Sequence, residues 1–258
     1  MSEKNREGKR TARERLAAER EKQKSADKRR RALIVGATVV GVLGVAAAIG
    51  VVAAEAGKDG GDEAASGPVT APSGAQGKDG LAIPVGKESA GSTLTVWEDF
   101  RCPACKNFEQ TYRSVIHELT AAGKLKVDYH LATIIDGNMG GTGSRTAANA
   151  AACAQDAGKF PAYHDVLFDN QPAESDDAYA ETDKLIELAG KVDGLDTPAF
   201  RECVTNGTHN GWVDKSAAAF LDGDFTGTPT VLFGDKNIYA DQSMTPAKLK
   251  KMVEDAGA

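Results

Sequence analysis

Cys102 and Cys105 stand three positions apart where an extended run breaks into a helix, and this pair constrains the chain more than any other feature. Thr93 to Phe100 reads as a strand, and Cys102-Pro103-Ala104-Cys105 follows after Arg101. In a first helical turn this spacing brings the two sulfurs to bonding distance, with Cys102 at the mouth. One sulfur can attack and the other can resolve. At a helix N-terminus, unpaired backbone N–H groups and the macrodipole stabilise a thiolate, which lowers its pKa into roughly the 3.5–7.5 range. Pro103 suits the first helical position, where the donor it lacks would be an orphan.

The competing readings are half a zinc knuckle and a structural disulfide. Zinc needs a second close pair, whereas Cys153 and Cys203 stand apart with no His at ligand spacing, so no metal is expected. His117, His130, His164 and His209 lie at no metal or triad spacing and read as surface or satisfied core residues.

Charge divides the chain unevenly. Residues 1–31 hold 13 Lys/Arg against 6 Asp/Glu, a net of +7, which leaves −13 of the overall −6 on the remainder. A basic arm could bind nucleic acid, but Ala32 to Ala54 then runs for 23 residues without a charge. That length crosses a bilayer core of about 30 Å at about 1.5 Å per residue. The expected organisation is a basic cytoplasmic tail (1–31), a transmembrane anchor (32–54), a flexible Gly/Ala/Ser/Asp linker (55–80) and an exported domain (81–258). A cleaved signal peptide is the alternative, with Ala54-Glu55-Ala56 as a passable site, although the apolar run exceeds the usual h-region. Four cysteines in an exported domain fit an oxidising compartment.

Within the domain, Leu81 to Val85 and Thr93 to Phe100 are expected strands, and a helix runs from Cys102 to about Ala122. A further strand is expected over Leu125 to Ile135. Residues 137–224 then turn helical, with segments at 144–157, 161–168, 181–192, 198–204 and 210–221. Cys153 and Cys203 fall inside this stretch. A disulfide between them would close a 50-residue span, and two buried free thiols are the alternative. Strand signals return at Pro229 to Phe233 and Ile238-Tyr239 around a turn at 234–237, and a last helix is capped by Thr245 with Pro246 at its first position.

Val96-Trp97-Glu98-Asp99-Phe100-Arg101-Cys102-Pro103-Ala104-Cys105, taken with Gly227-Thr228-Pro229-Thr230, resembles the DsbA family of thioredoxin-fold oxidoreductases, and within it the membrane-anchored actinobacterial proteins. The likeness covers roughly residues 81–258. It implies an α/β thioredoxin fold with a helical insertion domain, preceded by one transmembrane helix. It also implies a redox-active Cys102–Cys105 disulfide with no other cofactor, Pro103 and Ala104 as the redox dipeptide, and catalytic parts at Thr228 and Pro229. In this family that proline is cis and lies against the cysteines, which leaves the Thr228 backbone free to pair with an extended substrate. Many relatives place a buried proton acceptor six positions before the first cysteine. Here that position is Val96, so Glu98 and Asp99 are the substitute relay candidates. Related actinobacterial proteins also tie the insertion with a second disulfide.

The implied activity is donation of the Cys102–Cys105 disulfide to unfolded or reduced exported proteins. Reoxidation would come from a quinone-linked membrane partner of the DsbB or vitamin K epoxide reductase type, and the Pro-Ala dipeptide leans towards the oxidant branch. A disulfide reductase or isomerase of the cell envelope is the first alternative, and a non-catalytic thioredoxin-fold binding module the second. Trp97 and Phe100 are candidates for an apolar lip around the cysteines.

Overall fold

The structure, a computed structural model, describes residues 68–223 and 225–257. The expected tail at 1–31 and anchor at 32–54, with residues 55–67 of the expected linker, lie outside the described residues. Among the described residues no helix is long and apolar enough to cross a membrane.

A five-stranded sheet in the order β1-β3-β2-β4-β5 carries the domain. Its strands are β1 (Ile83–Val85), β2 (Ser92–Glu98), β3 (Leu125–Leu131), β4 (Thr230–Phe233) and β5 (Lys236–Asn237). β2 runs parallel to β3 and antiparallel to β4, so it is central, and both of its faces are covered at its C-terminal end. That position explains why β2 ends in three consecutive buried residues, Val96, Trp97 and Glu98, in place of an alternating pattern.

Helix α1 (Pro103–Ala121) connects β2 to β3. It buries Cys105, Phe108, Tyr112, Val115, Ile116 and Leu119 along one stripe and, against its polarity, Glu109 as well. The chain leaves it through Gly123 at φ 70°, a left-handed turn that glycine adopts without strain.

The insertion follows β3. It comprises α2 (Ile134–Met139), α3 (Gly143–Asp156), α4 (Phe160–Asp169), α5 (Thr182–Ala189), α6 (Pro198–Asn206) and α7 (Asn210–Asp222). The C-terminal helix α8 (Pro246–Ala256) is capped by the Thr245 hydroxyl accepting from Lys248 N, and packs on α1. α3 is the hub of the insertion: six alanines and Cys153 leave it thin enough for α4, α6 and α7 to approach closely.

Three expectations change. The strand expected to reach Ile135 stops at Leu131, because the Asp99 carboxylate accepts the backbone N–H of Ile135 at 2.9 Å and starts α2 there. The turn expected over 234–237 is tighter, and its second half, Lys236-Asn237, pairs with β4. Part of the expected linker is also folded. Ser73 N–H donates to Asp156, Gln155 donates to Ser73 O, Trp212 Nε1 donates to Gly80 O, and Gln76 pairs with Ala82. The docked segment therefore begins about ten residues before residue 81.

Candidate functional site

The cysteines sit where the sheet's central strand feeds the first helix. Cys102 is the N-cap of α1 in an extended conformation, and Pro103 occupies the first helical position. Both cysteines are free thiols. Cys102 is 6% exposed and Cys105 0%, so the expected order of accessibility is present, but the outer sulfur is far less open than a helix mouth suggests.

Across from them, the Thr228–Pro229 bond is cis, and Cys102 Sγ lies 3.3 Å from the Thr228 carbonyl oxygen. Thr228 and Pro229 precede β4, which pairs with β2 through Trp97–Thr230 and Val96–Val231. Sheet register therefore brings this loop to Cys102 across 126 residues of sequence. The Cys102 thiol is lowered to about 6, first by the hydrogen bond from Cys105, against the cost of burial, and then by Thr228 and the backbone N–H groups of Cys105 and Ala104. Cys105 is pushed well above the usual thiol range, first by burial and then by the Cys102 sulfur and the charge of Glu98. One sulfur is thus prepared to be a thiolate and the other a thiol.

The two acids proposed as relay substitutes part company. The backbone N–H of Asp99 donates to Cys105 Sγ at 3.5 Å, while its carboxylate turns away to accept from Arg101 N and Ile135 N. Burial raises it to about 6 against those donors, and its role is to shape the turn. Glu98 is fully buried on the other side, with Oε1 2.6 Å from His164 Nε2 and Oε2 without a partner.

Several residues that no sequence signal singled out hold this turn in place. Arg101, 1% exposed, reaches Asp136 at 2.7 Å and Asp177 at 2.8 Å and donates to the Gly140 and Glu174 carbonyls. The same two carboxylates cap the start of α3, Asp136 through Ser144 N and Arg145 N, and Asp177 through Thr142 N and Gly143 N. Gly143 is required there, because a Cβ would lie 2.5 Å from Asp177 Oδ1. Gln171 Nε2 donates to both Phe100 O and Cys102 O at 2.9 Å.

Trp97 and Phe100 do not form a lip. Phe100 is buried against Phe168 and His164, and Trp97 stacks on His130 with ring centroids 4.1 Å apart, because both faces of β2 are covered. Tyr239 is exposed, and its hydroxyl is raised by burial and by the charges of Cys105 and Cys102.

Away from this site, Cys153 on α3 and Cys203 on α6 form a disulfide.

The thioredoxin family's sequence model matches residues 78–255. Disulfide bond formation protein D of Bacillus subtilis is 26% identical over 172 residues, which cover 65% of this chain and 75% of that protein. The crystal structure of oxidised DsbA from Mycobacterium tuberculosis is similar with a TM-score of 0.59 and 26% identity, covering 69% of this chain and 93% of that one. MdbA, a thiol–disulfide oxidoreductase from Actinomyces oris, has the same fold at 20% identity and TM-score 0.57, over 68% of this chain and 88% of its own. With a low-pKa sulfur facing a cis-proline loop and a family match that spans the whole described sheet, the chain belongs to the thioredoxin family, as a DsbA-like thiol–disulfide oxidoreductase.

Proposed function

We propose that the protein is an oxidant, which donates a Cys102–Cys105 disulfide to exported proteins as they fold, from a position tethered to the outer side of the cell membrane. The observation that supports this direction is the lowered pKa of Cys102, at about 6. Whatever stabilises the Cys102 thiolate stabilises the reduced enzyme, and a stabilised reduced form makes the disulfide a stronger oxidant.

In the forward step a substrate thiolate attacks Cys102 Sγ, the Cys102–Cys105 bond breaks, and its electron pair leaves with Cys105. A second substrate thiolate then attacks the substrate sulfur of the mixed disulfide and releases Cys102 as the thiolate. The substrate is oxidised by two electrons and the enzyme reduced by two. Thr228, whose carbonyl already faces Cys102, is the backbone against which an extended substrate would pair.

Membrane attachment, the exported location and a quinone-linked reoxidant rest on the +7 tail, the 23-residue uncharged run and the family resemblance. The deciding experiment equilibrates the purified protein with glutathione and offers the oxidised form a reduced, unfolded multi-cysteine protein. The expected potential is well above the roughly −270 mV of thioredoxin, with substrate oxidised stoichiometrically. A thioredoxin-like potential would reverse the direction in favour of a reductase, and no exchange at all would favour a binding module.

A further inference from the structure

The Cys153–Cys203 bridge ties α3 to α6, and the side chains around it are more polar than a tie requires. Cys153 is buried in the last turn of α3, whereas Cys203, near the end of α6, is only partly buried. A pocket of about 200 Å³ is lined by both cysteines together with Asp156, Thr197 and Phe200, so small solutes can reach the sulfurs. α3 is also the helix whose N-terminus shares Asp136 and Asp177 with Arg101. Whatever holds its C-terminal end therefore also holds the support of the catalytic turn.

His209 completes the group. α6 ends at Gly207, whose left-handed φ of 61° turns the chain back, and Thr208 N–H donates to Cys203 O at 3.2 Å. The backbone N–H of His209 then donates to Asn149 Oδ1 on α3 at 2.8 Å. The imidazole is 1% exposed, and a ring nitrogen, Cys153 Sγ and Cys203 Sγ all lie within 4.8 Å of one another. His209 follows Cys203 by six positions, and Cys153 precedes it by 50. The grouping is made by the turn and by helix packing, which is why the chain carries no metal-ligand spacing at these residues.

The surroundings suit a cation. His209 Nδ1 lies 2.8 Å from Thr70 O and Nε2 lies 2.9 Å from Asp156 Oδ2, and both of these partners are acceptors. A neutral imidazole has one N–H and can serve only one of them. With a metal on one ring nitrogen, the other keeps its N–H and its acceptor, carbonyl or carboxylate, which is how ligating histidines are oriented. Asp156 Oδ1 accepts the Ser73 N–H at 2.7 Å, which leaves Oδ2 beside the ring for a fourth position. Two sulfurs, an imidazole and one carboxylate oxygen match zinc, not the all-oxygen shells of calcium or magnesium.

We propose that in the reduced chain Cys153, Cys203 and His209 bind one Zn²⁺, with Asp156 in the fourth position, and that this metal ties α3 to α6 until the bridge forms. Each thiol gives up its proton to become a thiolate ligand, so binding releases two protons. When the bridge closes, the two thiolates lose two electrons to a disulfide oxidant. That oxidant takes up two protons and becomes two thiols, the Cys153–Cys203 bond forms, and Zn²⁺ leaves because the thiolates that held it are gone. Metal and disulfide are thus alternative ties at one place, the first for the chain as it is made and the second for the oxidised protein. The inference is independent of the direction of exchange at Cys102.

The test uses the full chain in detergent with Cys102→Ser and Cys105→Ser, so that the active-site pair takes no metal, in fully reduced and in oxidised form. Titrated with Co²⁺ as the probe, the reduced protein should show thiolate-to-cobalt charge-transfer absorption and the intense d–d bands of a tetrahedral centre, saturating at one equivalent, and Zn²⁺ should abolish them. The oxidised protein should show neither. Zn²⁺ should raise the Tm of the reduced form and leave that of the oxidised form unchanged. His209→Ala should weaken Zn²⁺ binding by more than about 100-fold, beyond the loss of an outer partner, and Asp156→Asn by at least about 10-fold. With a magnetically active cadmium isotope as probe, a ring nitrogen of His209 should show scalar coupling to the metal, and this reading stands even if the alanine variant does not fold. Absence of the thiolate bands at one equivalent, equal bands in the oxidised protein, or no coupling to His209 would overturn the proposal, and undiminished binding by Asp156→Asn would overturn the fourth position.

Discussion

Cys102 Sγ lies 3.3 Å from the carbonyl oxygen of Thr228, in the cis-proline loop, whereas Cys105 is fully buried. This contact separates the two cysteines chemically. Cys105→Ser should keep the activated thiol and, offered a substrate disulfide, accumulate a mixed disulfide at Cys102. Cys102→Ser should trap little and catalyse nothing, since Cys105 is buried and its thiol is raised. Mass spectrometry of the trapped species checks this, and equal trapping by both variants would refute the assignment.

Alkylation of Cys102 in the reduced protein should rise with pH around a midpoint near 6, not near the 9.0 of an ordinary thiol. The same shift makes stability depend on pH. The folded-state pKa is depressed, so the stabilisation is complete only above the unfolded value and is lost as pH falls through about 6. At pH 7 it amounts to about 1 kcal/mol. Reduced wild type should therefore lose about that much between pH 7 and pH 5 relative to Cys102→Ser, measured by urea titration.

Arg101→Met should destabilise the domain by about 3 kcal/mol, because it strips Asp136 and Asp177 of a buried cation. A Tm lowered by roughly 10 °C is the expected reading. Arg101→Lys should recover only part, as a single ammonium cannot serve two carboxylates and two carbonyls together.

Cys153→Ser with Cys203→Ser should cost about 4 kcal/mol for a bridge whose ends are 50 residues apart. Peptide mapping should show this bridge surviving a mild reductant that opens Cys102–Cys105, since structural disulfides have the lower potentials. Simultaneous opening of both would contradict it.

The protein should fractionate with membranes, and protease added outside wall-less cells should digest the domain. This rests on the +7 tail and the uncharged run at 32–54. Recovery of a soluble form starting near Gly57 would favour signal cleavage.

The sequence by itself determined the parts whose signals are local. The Cys102 and Cys105 spacing, Pro103 at the first helical position and the β-type run before them define a strand-to-helix redox turn. Periodicity placed the insertion helices from α3 onward nearly at their observed bounds, because caps, apolar spacing and Gly breaks act within a few residues, whereas α2 was read as the end of a strand. Even the link from Cys102 to Thr228 was accessible only because the two motifs together resemble a known family.

What the tertiary structure decided is the pairing of charges in the interior. Nothing near Glu109 in the chain marks it as buried, and it reads as one more polar residue on an amphipathic helix. His164 looked like an ordinary histidine, and Glu98 and Asp99 were indistinguishable as neighbours. They part because side chains alternate along an extended strand: Glu98 turns towards α1 and α4 and meets His164, whereas Asp99 turns into the loop and caps α2. Arg101 and Gln171 hold the active turn through partners at least 35 residues away, and such contacts exist only once the insertion has folded over the sheet.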